Sequence, residues 1–133
     1  MMTAVDTNVL LDVLTPDSAH SEASAAALRR AYYGGGLCIS AAVCAELTPH
    51  FDSRRVLEEF LTDFGLMILP DTADVAWEAG SCWAAYRRSG GPRGRILTDF
   101  LIGAHAFVHA DCLLTRDRGF YRQCFADLKV VEP

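Results

Sequence analysis

Asp6, Glu46, Asp99 and Asp117 are the residues whose positions suggest chemistry. Asp6 directly follows the apolar run Met2-Thr3-Ala4-Val5, in Asp6-Thr7-Asn8. Asp117 lies two residues past the run Leu113-Leu114-Thr115. Glu46 falls in the helical stretch that follows Ile39-Ser40. Asp99 opens the stretch Thr98-Asp99-Phe100-Leu101-Ile102, whose Asp99 face continues to Gly103 and Ala106. Small residues there leave room for an ion or a close backbone. Taken singly, each acid reads as a helix cap or the start of a turn. Four acids on four segments that converge read differently. Carboxylates cannot share a partly buried site unless their charge is offset. Arg116 and Arg118 are the only bases immediately beside any of them in sequence, so a hard divalent cation is the expected offset. All-oxygen ligands suit Mg²⁺ or Mn²⁺. Such ions bind phosphates and acidify water, which makes phosphodiester hydrolysis the natural reaction.

For the acids to meet, the elements carrying them must end at one edge. Short continuous apolar runs at 2–5, 37–40, 66–69, 112–115 and 129–131 fit strands covered on both faces, as in a parallel sheet. Helical spacing lies between them. One helix is expected over 19–33, capped by Asp17 or Ser18 and stopped by Gly34-Gly35-Gly36. A second spans 53–64, with Val56, Leu57, Phe60, Leu61 and Phe64 on one face. A third spans 72–88, capped by Asp71 and stopped at Gly90, and a fourth spans 98–109. Strands alternating with helices imply an α/β fold with a mostly parallel sheet. Such sheets bind ligands beyond the carboxyl ends of their strands, where strand order reverses.

The chain has 133 residues, 51% of them hydrophobic and 22% charged. That is the size and composition of one globular domain over 1–133. No run approaches the roughly 18 apolar residues of a membrane span. The start lacks a basic segment and is interrupted by Asp6, so no signal peptide is expected. Five cysteines without a C-x-x-C spacing read as buried thiols in a reducing compartment. A soluble cytoplasmic protein is the expectation. The net charge is −5, which argues against non-specific coating of nucleic acid. Setting the four acids aside leaves 13 acids against 12 bases. The excess negative charge therefore belongs mostly to the proposed metal cluster, and a bound cation would reverse its effect on phosphate.

The chain resembles the PIN-domain ribonucleases, and among them the VapC toxins of type II toxin–antitoxin pairs. The likeness rests on Val5-Asp6-Thr7-Asn8-Val9-Leu10-Leu11-Asp12, on Ile39-Ser40 followed by Glu46-Leu47, on Thr98-Asp99-Phe100-Leu101-Ile102-Gly103-Ala104-His105-Ala106, and on Leu113-Leu114-Thr115-Arg116-Asp117. The ending, Phe125 to Leu128 and then Val130 to Pro133, also fits. The resemblance implies a three-layer α/β/α fold with four or five strands in the order 3-2-1-4-5. It implies a Mg²⁺ or Mn²⁺ site with Asp6 and Asp99 as principal ligands, completed by Glu46 and Asp117 through water or a second ion. Asn8 and Thr115 would support the cluster by hydrogen bonds. The implied activity is endoribonuclease cleavage of RNA by metal-activated water. A cognate antitoxin would lay its C-terminal segment across the groove, with a basic residue at the carboxylates. A homodimer is the usual assembly.

Other residues admit plainer readings. Arg87, Arg88, Arg93 and Arg95 surround the loop before Asp99. They either grip RNA backbone or close a helix C-terminus. His105 and His109 have metal-ligand spacing, but lie about 120° around the helix from Asp99 and read as a surface or interface pair. Trp77, Trp83 and Tyr86 read as core or dimer packing, and Phe51, Phe60 and Phe64 as core or antitoxin groove. Asp12, Asp71 and Asp111 read as helix or loop acids. A haloacid-dehalogenase-type phosphatase would open with Asp-x-Asp, but Asn8 stands at the second acid and Lys129 is the only lysine. A phospho-receiver module would require an acid pair at Asp6, with Asp71 as acceptor. A PIN-like scaffold without catalysis would have lost one of the four acids, and all are present.

Overall fold

A computed structural model describes residues 1–16, 18–92 and 94–133. Asp17 and Arg93, an expected cap and one member of the arginine group, lie outside the described residues. Five strands, β1 (Thr3–Val5), β2 (Leu37–Ile39), β3 (Leu66–Ile68), β4 (Cys112–Leu114) and β5 (Val130–Val131), form one sheet in the order β3-β2-β1-β4-β5. Every pairing is parallel, with Thr3 opposite both Leu37 and Cys112. The three inner strands are buried along their whole length, as continuous apolar runs require. The edge strand β3 departs from that expectation: Met67 and Ile68 are about half exposed.

Among the described residues, seven α-helices connect and cover the strands: α1 (Thr7–Leu14), α2 (Ser21–Tyr33), α3 (Ala41–Leu47), α4 (Arg54–Asp63), α5 (Ala73–Arg88), α6 (Leu97–His109) and α7 (Arg118–Cys124). Several start where a hydroxyl satisfies a free amide. Ser40 caps α3, Ser53 caps α4, and Thr72, rather than the expected Asp71, caps α5. His20 holds the cap position of α2 without a side-chain bond, so Ser18 is not the cap there. Gly65 ends α4 in the left-handed region, at φ +67, where a residue without Cβ is least strained.

The aromatic core lies between α5, α6 and α7. Phe100 packs edge-on against Tyr86 and Phe120, with ring centres 5.4 and 5.3 Å apart. Gly103 was expected to leave space for an ion or a close backbone. The occupant is the Phe125 ring: a Cβ on Gly103 would lie 2.4 Å from it. Phe125 is buried, so its ring would have to shift within the core. Gly103→Ala is therefore expected to cost about 1–3 kcal/mol through overpacking, measured by chemical denaturation. Stability equal to the wild type would show that the ring can move.

His105 and His109 do not form a surface pair. His105 is buried, and its Nε2 donates to the Leu69 carbonyl at 2.9 Å. His109 Nε2 donates likewise to Pro70 at 2.9 Å. Together they fasten α6 to the end of β3. Burial above all lowers the His105 pKa, which keeps the ring neutral beside its carbonyl. Trp77 is 78% exposed, so it is not a core residue, while Trp83 and Tyr86 pack against the core. Phe51, Phe60 and Phe64 form a tilted ring stack against the core.

Asp12 is not a simple helix acid. It is buried, with its carboxylate bound by Arg116 at 2.8 and 2.9 Å and by the Ser24 hydroxyl at 2.6 Å. Burial is the largest single influence and would raise its pKa. The Arg116 and Ser24 hydrogen bonds outweigh it and hold the carboxyl below its ordinary value. A depressed carboxyl contributes stability in full above the unfolded pKa, about 3.9, and loses it as pH falls through the folded value. Asp12→Asn is expected to cost about 1–2 kcal/mol at pH 7, discounted for the partly open Arg116. The gap to wild type should begin to narrow below about pH 4 and close only once the pH has fallen below the folded value. Denaturation at pH 7 and pH 3 reads this, and a gap that persists unchanged at pH 3 would contradict it.

Candidate active site

Asp6 ends β1 and caps α1, so the sheet and the first helix fix its place. One carboxylate oxygen accepts from the Thr7 amide at 2.7 Å. The other accepts from the Thr115 hydroxyl at 2.7 Å and the Asn8 amide at 3.3 Å. Thr115 also accepts from Asn8 at 3.2 Å and from the Asp117 amide at 3.0 Å. This one buried hydroxyl thus joins the ends of β1 and β4. Asp6 is only 6% exposed. Burial, with a smaller push from Glu46, raises its pKa despite its hydrogen bonds.

Glu46 reaches the site from α3, where its carboxylate accepts from the Thr7 hydroxyl at 2.7 Å. Asp99 sits in the first turn of α6 and accepts from the Ile96 amide at 3.1 Å. Ile96 has no side-chain oxygen to return the bond, so half of a capping box is present. The phenol of Tyr121, buried on α7, faces these acids. Burial first, then the charges of Asp6 and Asp99 and a smaller one from Asp117, push its pKa far above the ordinary tyrosine value. The charges of three of the four acids therefore act on one phenol, and Glu46 is tied to the same strand end through Thr7. Spacing alone gives no sign of Tyr121, because its relevance comes from packing.

The expectation that no base offsets these acids is overturned. Arg95, distant in sequence, binds Asp117 through both guanidinium nitrogens, at 2.5 and 3.1 Å. It also lies over the Phe120 ring, 4.2 Å from its centre. The arginine group divides accordingly. Arg87 lies over Trp83 at 5.1 Å, Arg88 is exposed at the end of α5, and of the described members Arg95 alone reaches the acids. The five cysteines are free thiols. Cys38 and Cys112 are buried, and Cys44, Cys82 and Cys124 are only half-buried. Burial pushes Cys38 up to about 11.

Among the described residues, no three acids, histidines or cysteines stand close enough to hold a metal ion between them. The donor set still fits a hard divalent ion: all donors are carboxylate oxygens, and the most buried of them, Asp6, is a charge that a cation would relieve.

The sequence matches the PIN domain family over residues 3–126. The chain belongs to the PIN-domain family. Comparison with curated protein sequences finds no match. Solved structures share the PIN-domain fold. VapBC2 of Rickettsia felis, bound to a DNA fragment from its promoter, aligns over 100% of this chain and 99% of its own, at 20% identity and TM-score 0.77. VapBC-1 of nontypeable Haemophilus influenzae aligns over 99% and 98%, at 19% identity and TM-score 0.73. FitAcB of Neisseria gonorrhoeae aligns over 97% and 96%, at 25% identity and TM-score 0.73. The PIN-domain strand order of this chain, β3-β2-β1-β4-β5, agrees with the order that the sequence resemblance implies. No helix among the described residues is long and apolar enough to cross a membrane.

Proposed function

We propose that this PIN-domain protein is a metal-dependent endoribonuclease, the toxin of a toxin–antitoxin pair, acting in the cytoplasm. The reading is supported by the bonds that tie three of the acids together at the ends of β1 and β4, Asp6 to Glu46 through Thr7 and Asp6 to Asp117 through Thr115, with Asp99 in the first turn of α6. The PIN family match and structural neighbours such as VapBC2 support it. Asp6 and Asp99 would hold Mg²⁺ or Mn²⁺, with Glu46 beside them. The ion would supply an acidified water and positive charge at the scissile phosphate. Thr7 orients Glu46, and Thr115 with Asn8 fixes Asp6. These bonds hold the ligands in place before substrate arrives.

A cognate antitoxin segment would cover this groove, and a homodimer is the expected assembly. Incubating the protein with total RNA tests the reading. Cleavage should require Mg²⁺ or Mn²⁺ and vanish in EDTA, with discrete 5′ ends on mapping. Full cleavage in EDTA, or none with either ion, would overturn it. The phosphatase reading requires turnover of p-nitrophenyl phosphate, and none is expected.

A further inference from the structure

We propose that Arg95 is the phosphate-gripping residue of this site, and that Asp117 positions Arg95 instead of holding metal. The proposal rests on the nuclease reading and refines one of its four acids.

Both Asp117 oxygens are taken by the guanidinium, one by Nη1 at 2.5 Å and one by Nη2 at 3.1 Å. The Asp117 amide is held by Thr115 Oγ1 at 3.0 Å. The carboxylate is thus fixed at both ends, and its charge is matched by a fork of the same geometry. A metal ion would have to compete with that charge-assisted pair for the remaining lone pairs of Asp117.

Arg95 is equally constrained. Phe120 packs under its guanidinium face, 4.2 Å from ring centre to Cζ. Asp117 fixes its in-plane orientation, and Asp99 adds its negative charge from nearby. A guanidinium has five N–H donors. Asp117 uses two, which leaves three without a hydrogen-bond partner among the described residues. About a third of the side chain is open to solvent. A planar, charged donor set held rigidly beside a carboxylate cluster is suited to an RNA phosphodiester, which a carboxylate cluster would otherwise repel. Neither Arg87, on Trp83, nor exposed Arg88 is placed against the acids.

The test uses full-length protein and a fluorescein-labelled, random-sequence single-stranded RNA in EDTA. Anisotropy is followed across KCl concentrations. Arg95→Ala should weaken binding about tenfold and lower the slope of log K against log salt by about 0.7, the signature of one lost phosphate contact on a single strand. Arg95→Lys should restore the slope and only part of the affinity, since lysine lacks the fork. Asp117→Asn separates positioning from electrostatics. Neutralising an acid beside a polyanion should tighten binding, whereas loss of the Arg95 orientation should weaken it. Weaker binding is expected. Calorimetric titration with Mn²⁺ should give Asp117→Asn an affinity within about threefold of wild type, while Asp6→Asn loses more than about tenfold. Circular dichroism confirms that each variant is folded.

An unchanged salt slope in Arg95→Ala overturns the assignment. So does tighter RNA binding by Asp117→Asn, or loss of Mn²⁺ affinity in step with Asp6→Asn. Those outcomes leave the nuclease reading standing. Wild-type protein that binds no RNA in EDTA overturns this assignment too, and leaves the nuclease reading to be decided by the cleavage assay.

Discussion

Asp6→Asn is expected to lower RNA cleavage on the order of a thousandfold while leaving the fold intact. The magnitude follows from chemistry. A divalent ion contributes several kcal/mol to a phosphoryl transition state, and each 1.36 kcal/mol is a factor of ten in rate. Asp6 is the most buried of the four acids and the one whose burial a cation most relieves. An amide keeps the shape and one acceptor for the Thr7 amide but removes the charge. Two measurements separate a lost ligand from a damaged fold. Without metal, the variant should melt at or above the wild-type temperature, because a disfavoured buried charge is gone. With Mn²⁺, the wild type should gain thermal stability by mass action and the variant should not. Cleavage at wild-type rates would remove Asp6 from the proposed site.

Thr115→Val should weaken Mn²⁺ binding by about ten- to a hundredfold, the usual effect of removing a group that orients a ligand. The Thr115 hydroxyl donates to Asp6 and accepts from Asn8 and from the Asp117 amide. Valine has nearly the same volume but leaves those partners unmatched in a fully buried position. Part of the loss should therefore appear as stability, about 1–3 kcal/mol. Thr115→Ser keeps the hydroxyl and should restore most of the metal affinity. If serine fails as badly as valine, packing and not the hydrogen bond sets the effect.

Much of this architecture was legible from local signals. Apolar runs marked all five strands and helical spacing the longer helices, with glycine stops ending two of them, but the caps expected at Ser18 and Asp71 fell instead to His20 and Thr72. Helices α1 and α7 were not evident, because eight and seven residues are too few for a periodic pattern to stand out. The placement of acids after strands pointed to one edge, because strand ends in a parallel sheet share a side. The cations were not legible. Arg95 meets Asp117 across 22 residues and Arg116 meets Asp12 across 104. Inspection of sequence neighbours sees neither pair. It also missed Tyr121, whose position depends on how α7 folds back onto the sheet, and it misjudged His105, which the end of β3 makes a core residue.

The central strand β1 is made first, yet one of its two flanks is filled only by β4, more than a hundred residues later. A growing chain can pair β1 with β2 early, but the other side of Asp6 stays open until Cys112–Leu114 leave the ribosome. Thr115, Asp117 and Tyr121 arrive in that same last stretch. An incomplete chain, stalled or truncated before β4, carries Asp6, Glu46 and Asp99 without the strand that brings them into register. Synthesis itself thus delays the moment at which the protein becomes competent. A ribosome-bound chain halted at residue 105 should show no Mn²⁺-dependent protection from proteolysis, while a released full-length chain should.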